Sequence, residues 1–393
     1  MRILHIIGTL NPEAGGPTES VRVLLSYGPI GYSGEVVTLD PPDAPYLAAV
    51  PFPVHALGPI RTTYGLNSKL LPWLLENRHR FDGVVVNGLW QYCGLAAWWA
   101  LAGKTPYVVF THGMLDPYFK HAFPLKHIKK MLYWMPFEYR VLRDAYRVLF
   151  TSKAEKRLAE QSFSMHRWNP YVVPYGASGP TGDPDAQVRA FNAACPGVEG
   201  KRFLIFLGRI HRKKGCDLLI DAFVRVATLD PELHLVMAGP DQQHWSIKLK
   251  EAARRGGVED RIHWPGMLLG DTKWGAFYAS EAFILPSHQE NFGIAVAEAL
   301  GCGRAVLLAD KVNIAEEIAD YGAGLMELDT LEGTVNLLRR WIAMSPDEKA
   351  AMGRRAKLCF QERYDMRENA KAIIRLFENA TTIGSRGLRV DEV

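Results

Sequence analysis

A chain of 393 residues is too long for a single hydrophobic core, so we expect two domains. Charged residues make up 22% of the sequence and hydrophobic residues 48%, which is ordinary for a soluble globular protein. The net charge of +4 is too small to indicate a nucleic-acid partner, although it suits anionic ligands or an anionic membrane surface.

The cysteines and the apolar runs argue against further classes. The five cysteines are scattered and form no C-x-x-C motif, so they indicate neither a disulfide framework nor a zinc site. The N-terminus lacks the long apolar segment of a signal peptide, and the apolar run 94–103 is too short to span a bilayer. We therefore expect a cytoplasmic protein.

Short apolar runs alternate with helical patterns, which predicts parallel sheets covered by helices. The predicted strands of the first half are Arg2–Ile7, Glu35–Leu39, Gly83–Val86, Tyr107–Thr111, Arg147–Thr151 and Tyr171–Val173. Residues 176–200 are rich in Gly, Pro, Asp and Ala, and are predicted as a linker with at most one short helix.

Beyond the linker the pattern restarts. The predicted strands are Arg202–Leu207, His234–Ala238, Arg261–Trp264, Ala282–Leu285, Ala305–Leu308 and Gly324–Glu327. The predicted helices are Cys216–Leu229, Trp245–Arg255, one that starts near Ile294, Ile314–Asp320, Leu331–Ala343, Asp347–Arg363 and Met366–Asn379.

This pattern predicts an α/β protein with two facing doubly wound, Rossmann-like parallel-sheet domains and a ligand cleft between them. The N-terminal domain is expected at 1–175 and the C-terminal domain at 201–364, joined by the linker 176–200. A helix at about 365–380 is expected to pack back on the first domain, and 381–393 to form a frayed tail.

Two glutamates eight positions apart are the first candidate site. Glu290 follows the strand Ala282–Leu285 in a loop, and Glu298 lies just over one turn into the next helix, facing back toward that loop. Ligands bind at this edge of open α/β sheets. Two carboxylates beside the backbone N–H groups of Phe292 and Gly293 suit a polyol next to a phosphate. For an isolated pair, two solvated acids are the simpler alternative.

The loop Gly208–Gly215 adds positive charge at the same edge. Glycines at both ends allow tight turns, and Arg209 and Lys214 place two cations beside the start of a helix, which suits a diphosphate. A solvated basic loop is the alternative. It is weakened because this loop and the Glu290 loop both follow strands of one predicted sheet.

Two segments of the first half are weaker candidates. Gly15 and Gly16 precede Pro17 at the start of a helix, where they would let a phosphate approach. His112 follows a strand and precedes a glycine, which makes it a fair site residue. A purely structural role is the alternative for both.

Together these segments resemble the retaining glycosyltransferases of the GT-B fold, specifically family 4, over nearly the whole chain. Glu290 and Glu298 match the E-x7-E signature, and residues 299–306 continue it. The other matching segments are the phosphate clamp Gly208-Arg209…Lys214-Gly215, the glycine loop Gly15-Gly16 and the first-domain histidine in Thr111-His112-Gly113. The chain departs from the usual pattern at Asn291, where a small residue is common, and at Tyr175-Gly176, where many members have Asn-Gly.

The resemblance implies a role for each of these residues. Arg209 and Lys214 would hold the diphosphate of a nucleotide-sugar donor, Glu298 the ribose, and Glu290 the hydroxyls of the transferred sugar. The amides of Phe292 and Gly293 would lie nearby, with Asn291 affecting which sugar is accepted. His112 would contact the donor sugar and Met267 would border the base.

The implied chemistry is front-face substitution with retention, in which the departing diphosphate takes the acceptor proton. Arg209 and Lys214 would stabilise the leaving charge, so neither a metal nor a cofactor is expected. Asp183-Pro184-Asp185 matches a D-x-D metal motif formally, but it lies in the predicted linker. Two alternatives remain: another GT-B enzyme, such as a sugar phosphorylase or nucleotide-sugar epimerase, and a non-catalytic sugar-nucleotide-binding protein.

Residues 118–147 suggest the acceptor side. This stretch mixes cations such as Lys126, Lys129 and Lys130 with many aromatic residues, including Phe119 and Phe123. Such a segment suits the interface of an anionic membrane or a lipid diphosphate, and a core helix with solvated lysines is the alternative. We expect a saccharide or polyprenyl-diphosphate-linked acceptor, with the protein peripheral on the inner face of the cytoplasmic membrane.

Overall fold

The computed structural model describes residues 1–26, 31–60, 62–118, 120, 124–164, 166–242 and 244–387, with the backbone alone for 381–387. The chain forms two compact units. The first comprises Met1–Tyr175 together with the chain from Met366 onward, and the second comprises Gly176–Asp365.

The first unit contains a parallel sheet of seven strands among its described residues, in the order β3-β2-β1-β4-β5-β6-β7. β1 and β4 are central and buried on both faces, as continuous apolar runs in parallel sheets are. The strands are β1 Arg2–Ile7, β2 Ser33–Thr38, β3 Val54–Ala56, β4 Gly83–Asn87, β5 Tyr107–Phe110, β6 Arg147–Phe150 and β7 Pro170–Val172.

Helices cover this sheet. They span Gly16–Ser26, Leu70–Asn77, Tyr92–Leu101, Pro124–Tyr133, Tyr139–Arg143, Lys153–Ala159 and Met366–Gly387, with a π-helical turn at Trp134–Glu138. The last helix belongs to this unit because Phe377 is fully buried against β4. A Cβ on Gly83 would lie 2.3 Å from the Phe377 ring, so the close approach requires a glycine there.

The second unit contains a parallel sheet of six strands in the described residues, in the order β10-β9-β8-β11-β12-β13. The strands are β8 Arg202–Leu207, β9 Leu233–Ala238, β10 Ile262–Gly266, β11 Ala282–Leu285, β12 Ala305–Ala309 and β13 Gly324–Glu327. The helices are Pro184–Ala194, Cys216–Val226, Ser246–Arg255, Gly270–Ala279, Ile294–Gly301, Ala315–Asp320, Leu331–Ala343 and Pro346–Cys359, the last followed by a π-helical turn at Phe360–Tyr364.

Both sheets are parallel and helix-covered, so the predicted α/β doubly wound class is confirmed. The predicted strands recur within two residues at each end, but β3 and the helix Gly270–Ala279 have no counterpart in the prediction. In the described part of the chain, the longest apolar helical stretches are too short or too polar to cross a membrane.

The segment 176–200 differs from the linker that the sequence predicts. It carries the helix Pro184–Ala194, which packs closely on Gly270–Ala279 within the second unit. A Cβ on Gly275 would lie 1.9 Å from the Gln187 carbonyl oxygen, and the Gln187 side chain donates to Asp271 at 3.0 Å. The Asp183 carboxylate caps the helix through the amides of Asp185 and Ala186, which accounts for the D-x-D match structurally.

The C-terminal tail also differs from the prediction. The backbone is helical to Gly387, so residues 381–387 continue the last helix and are not frayed. Residues 388–393 of the predicted tail lie outside the described residues. The helix persists because its buried face, which includes Ile373 and Phe377, anchors it to the first unit.

Candidate active site

Glu290 is held in place by its own backbone. Its N–H donates to the carbonyl of Lys311 at 3.0 Å, and its carbonyl accepts from the N–H of Asn313 at 3.0 Å. Lys311 and Asn313 lie just beyond β12, the neighbour of β11, so the loops at the carboxyl ends of two adjacent strands are joined at Glu290. The backbone that carries the carboxylate is therefore fixed by the sheet.

Gly293 turns the chain from this loop into the helix Ile294–Gly301. It has φ of 77°, in the left-handed region that favours glycine, and its carbonyl accepts from the N–H of Val296 at 2.8 Å. Phe292 is buried against the edge of the Tyr364 ring, at 5.8 Å between ring centroids. The side chain of Asn291 accepts from that of Asn313 at 3.2 Å, which ties this departure from the family pattern to the loop after β12.

The basic loop after β8 is tied to the Glu290 loop. The Lys213 carbonyl accepts from the N–H of His288 and from the hydroxyl of Ser287, both at 2.9 Å. Gly215 has φ of 65°, and a Cβ there would lie 1.9 Å from the Pro286 carbonyl oxygen. This close contact requires a glycine, and it brings the start of the helix Cys216–Val226 beside the loop that carries Glu290.

The consequence is an ion pair between Lys214 and Glu290. Their side chains are 18% and 16% exposed, so solvent reaches the pair without surrounding it. Burial acts to raise the pKa of the Glu290 carboxyl, but the charges of Lys214, Lys213 and Arg209 together lower it below its ordinary value. Three cations around one carboxylate leave a surplus of positive charge, which favours an anionic ligand.

Glu298 makes a second pair of the same kind. Its carboxylate accepts from the ammonium of Lys273 at 2.7 Å, and the two side chains are 9% and 21% exposed. Lys273 also lies over the ring of Trp274, at 4.3 Å from the centroid. Met267, which follows β10 and precedes the helix of Lys273, is exposed.

The sequence reasoning missed Lys273. It lies on the helix Gly270–Ala279, which the prediction omitted because glycines and a weak apolar period interrupt the helical pattern. A helix between β10 and β11 is nevertheless what a doubly wound sheet requires, and that topological rule could have indicated it.

His112 lies in the first unit, directly after β5. Its φ of 47° is uncommon for a residue with a side chain. The ring stacks on Phe110 at 4.6 Å, and Nε2 lies 3.3 Å from the side-chain oxygen of Asn87. Burial lowers the pKa of His112 to about 3, so the imidazole is neutral at physiological pH.

The His112 turn is fixed by a second residue that the sequence reasoning missed. Glu155 is buried, and its carboxylate accepts from the hydroxyl of Thr111 and the amide of Gly113, both at 2.6 Å. It also accepts from the amide and the hydroxyl of Thr151, at 2.7 Å each. Glu155 therefore joins the ends of β5 and β6 and holds both residues that flank His112.

The glycine loop also belongs to the first unit. Gly15 has φ of 99°, and the helix Gly16–Ser26 begins directly after it. A Cβ on Gly15 would meet no atom within 4 Å, so packing does not require a glycine there. The positive φ angle is what favours glycine at this position.

Within the second unit, the structure brings Arg209 and Lys214 close to Glu290, and Glu298 lies on the helix that follows the Glu290 loop. Gly15, Gly16 and His112 lie at the carboxyl edge of the sheet in the first unit. Over the described ranges, there is no group of three His, Cys, Asp or Glu side chains arranged to hold a metal ion.

Comparison with known proteins identifies the family. Residues 191–359 match the model of the glycosyl transferases group 1, and residues 21–176 match that of the glycosyl transferase 4-like domain. The chain is a group 1 glycosyltransferase of the GT-B type. The prediction of a hexosyltransferase is confirmed.

Several relatives of this glycosyltransferase are named. The GDP-mannose:cellobiosyl-diphosphopolyprenol alpha-mannosyltransferase of Xanthomonas oryzae pv. oryzae is 26% identical over 93% of both chains. The mannosylfructose-phosphate synthase of Agrobacterium fabrum is 37% identical over 113 residues, which is 27% of this chain and 25% of that protein. The crystal structure of Anabaena HepE in complex with UDP-glucose has a TM-score of 0.74 at 19% identity, with 97% of this chain and 100% of that chain covered.

Proposed function

We propose that this glycosyltransferase moves a hexose, with retention and without a metal, from a nucleotide sugar to a lipid-linked saccharide. GDP-mannose is the first donor to test, because the relative that matches over 93% of both chains is named for it. A UDP-sugar such as UDP-glucose is the second, because the similar fold of HepE was solved with one.

The observation that carries the proposal is the ion pair between Lys214 and Glu290, with Arg209 and Lys213 close enough to lower the pKa of the carboxyl. A diphosphate at this place would take over the charge of Lys214, and the start of the helix Cys216–Val226 would add its dipole. Glu290 would then accept hydrogen bonds from hydroxyls of the sugar. On donor binding, Lys214 would therefore pair with the diphosphate in place of Glu290, and Glu290 would pair with the sugar hydroxyls in place of Lys214.

Glu298 and Lys273 form the matching pair for the nucleotide in this proposal. Glu298 would accept hydrogen bonds from the ribose hydroxyls, with its carboxylate oriented by the ammonium of Lys273 at 2.7 Å. Lys273 thus acts as a positioning residue for Glu298, and Met267 borders the base.

The reaction needs stabilisation of the leaving diphosphate more than it needs a protein nucleophile. Arg209 and Lys214 supply that positive charge, which supports a metal-independent reaction. The neutral His112 contributes a hydrogen bond to the donor sugar and carries no charge of its own. In the proposed front-face step, the leaving diphosphate oxygen takes the proton of the acceptor hydroxyl.

Membrane attachment is the acceptor half of the proposal. The helix Pro124–Tyr133 leaves its apolar residues in solvent, with Leu125 80% exposed and Leu132 75% exposed, and Lys126 and Lys129 are exposed on the same helix. A core helix would bury such residues, so their exposure supports an interfacial helix over a core helix with solvated lysines. An amphipathic helix of this composition suits the headgroup region of an anionic membrane. Phe119 and Phe123 of the same stretch lie outside the described residues.

The test is transfer from radiolabelled nucleotide sugars to a synthetic lipid-linked saccharide, with the anomeric configuration of the product read by NMR. Transfer with retention, in the presence of EDTA and abolished by Glu290→Ala, is the expected result. Equal rates for the wild type, Glu290→Ala and Lys214→Ala would end the proposal. A thermal-shift panel of nucleotide sugars selects the donor, because the tightest ligand stabilises most.

A further inference from the structure

A small cavity lies between the helix Pro124–Tyr133 and the segment that follows His112. Its volume is 150 Å³. Its lining includes Met114, Asp116, Lys120, Lys126, His127 and Lys130. Three lysines and one aspartate line the cavity, which gives its wall a surplus of positive charge. The buried Glu138 is a further acidic group that acts on Lys130.

The size of the cavity restricts its ligand. Sites for drug-sized ligands occupy roughly 300–1,000 Å³, and a water molecule takes ~30 Å³ of liquid volume. A cavity of 150 Å³ is thus too small for a nucleotide sugar and suits a compact anionic headgroup.

The positive charges of Lys126 and Lys130 act on each other, and an anion bound between them would reduce this repulsion. Lys126 and Lys130 are four residues apart on one helix and line the same cavity. Like charges at this spacing destabilise a helix, and a bound dianion would reverse that effect. Lys130 is held in place, with its ammonium 4.4 Å from the centroid of the Trp90 ring. His127 packs against the Phe163 ring at 4.9 Å.

The surroundings indicate what the anion is attached to. Leu125, Ile128 and Leu132 lie on the same helix as the two lysines and are exposed. A lipid hydrocarbon chain that runs along such a surface into a bilayer keeps its headgroup at the level of the lysines. On the other side, Met114 and Asp116 belong to the segment that leaves His112, where the sugar is transferred in the proposed function.

We propose that this cavity binds the diphosphate of a polyprenyl-diphosphate-linked acceptor, with Lys126 and Lys130 as its main phosphate ligands. This inference rests on the proposed function, because it assigns the acceptor of that reaction. In this arrangement the polyprenyl chain lies outside the cavity, along the exposed apolar residues of the helix, and the saccharide extends toward His112.

The experiment is flotation of the full-length protein with phosphatidylcholine vesicles. One set contains a polyprenyl diphosphate, a second contains the polyprenyl monophosphate, and a third contains phosphatidylglycerol at matched negative charge. We expect the wild type to bind the diphosphate vesicles best. We expect Lys126→Gln to weaken that binding roughly tenfold, as the loss of one charge-assisted hydrogen bond does, and to affect phosphatidylglycerol binding much less.

Lys129→Gln is the matched control, because it removes the same charge from the same helix at a position outside the cavity lining. Lys130→Gln is a second variant, with thermal unfolding measured because Lys130 also packs on Trp90. Equal weakening by Lys126→Gln and Lys129→Gln, or a wild type that does not distinguish diphosphate from monophosphate, would overturn the inference. Sugar transfer to a lipid-linked acceptor in that case would leave the proposed function standing.

Discussion

Replacing Lys214 by alanine should damage both the stability and the chemistry of the second unit. The change leaves the carboxylate of Glu290, which is 16% exposed, without its ion-pair partner. Breaking a fully buried pair costs about 3–5 kcal/mol, and exposed pairs contribute about 0–1 kcal/mol. Because solvent reaches this pair partially and two cations remain near, we expect Lys214→Ala to lower the free energy of unfolding by ~1–3 kcal/mol.

A double-mutant cycle isolates the pair. Lys214→Ala, Glu290→Gln and the double variant are unfolded in urea, and the two single losses are compared with the double loss. We expect the double variant to be ~0.5–3 kcal/mol more stable than the sum of the single losses predicts, because residues in one ion pair couple by that amount. Additivity within ~0.5 kcal/mol would show that the two side chains do not interact in solution, and would refute the reasoning.

The pH dependence provides an independent check. The pKa of Glu290 is lowered in the folded state, so the carboxylate contributes stability above its unfolded pKa of ~4.3, and this contribution disappears as the pH falls through the folded value. Without Lys214, burial raises the pKa of Glu290 and is opposed by the smaller effects of Lys213 and Arg209. We therefore expect the wild type to lose its stability advantage over Lys214→Ala on acidification below about pH 4.

The effect on catalysis should exceed the effect on folding. If Lys214 stabilises the leaving diphosphate, its loss should lower kcat ~100- to 1,000-fold, which is the range for removal of one group that stabilises developing charge. Lys248→Ala is the control, since it removes the same charge from the second unit at an exposed lysine on the helix Ser246–Arg255. A Lys214→Ala enzyme that is folded and retains full kcat would contradict the assigned role.

Three further predictions follow from other contacts. Lys273→Met should weaken nucleotide binding roughly tenfold in calorimetry, with a smaller change in kcat, because it removes the partner of Glu298. Lys248→Met, which changes an exposed lysine on a neighbouring helix, should leave nucleotide binding unchanged. Equal effects of the two substitutions would contradict a positioning role for Lys273. Gly275→Ala should destabilise the second unit by at least ~1–3 kcal/mol in urea unfolding, because the added Cβ would lie 1.9 Å from the Gln187 carbonyl oxygen. Gly94→Ala is the control, because its added Cβ would lie 3.6 Å from the Val141 side chain, and it should be neutral or slightly stabilising. His112, with its pKa near 3, should add no inflection to kcat/KM between pH 5 and 8, and an inflection that disappears in His112→Gln would show a charged imidazole instead.

The strands were predictable because their residues are buried on both faces of a parallel sheet. β8, β11 and β13 have the bounds that their apolar runs indicate. β3 was not predictable in this way, since its residues Val54–Ala56 are only half-buried at the sheet edge and include a histidine. The linker prediction depended on composition alone, and composition does not show that Gln187 packs against a glycine 88 residues later.

The residues of the candidate site likewise fall into those that local sequence spacing indicates and those that only the folded chain brings close. Glu290 and Glu298 could be found from the sequence because eight positions place one on a loop and the other on the helix that follows it. Their partners could not, because Lys214 and Lys273 come from two other loops or helices, 76 and 25 residues away. Glu155 was equally hidden, since its role depends on two strand ends that meet only in the folded sheet.

The two ion pairs explain how the site can remain stable without its donor. A carboxylate or an ammonium that is largely shielded from water is costly alone, and pairing reduces that cost. The backbones that carry Lys214 and Glu290 are fixed by hydrogen bonds through the Lys213 carbonyl and the loop after β12. In our proposal, donor binding therefore changes the side-chain partners while the backbone stays in place. The Lys214–Glu290 ion pair is replaced by one interaction of Lys214 with the diphosphate and one of Glu290 with the sugar hydroxyls. The Lys214–Glu290 double-mutant cycle should accordingly lose most of its coupling energy when it is repeated at saturating nucleotide sugar, and an unchanged coupling would show that the pair does not open for the donor.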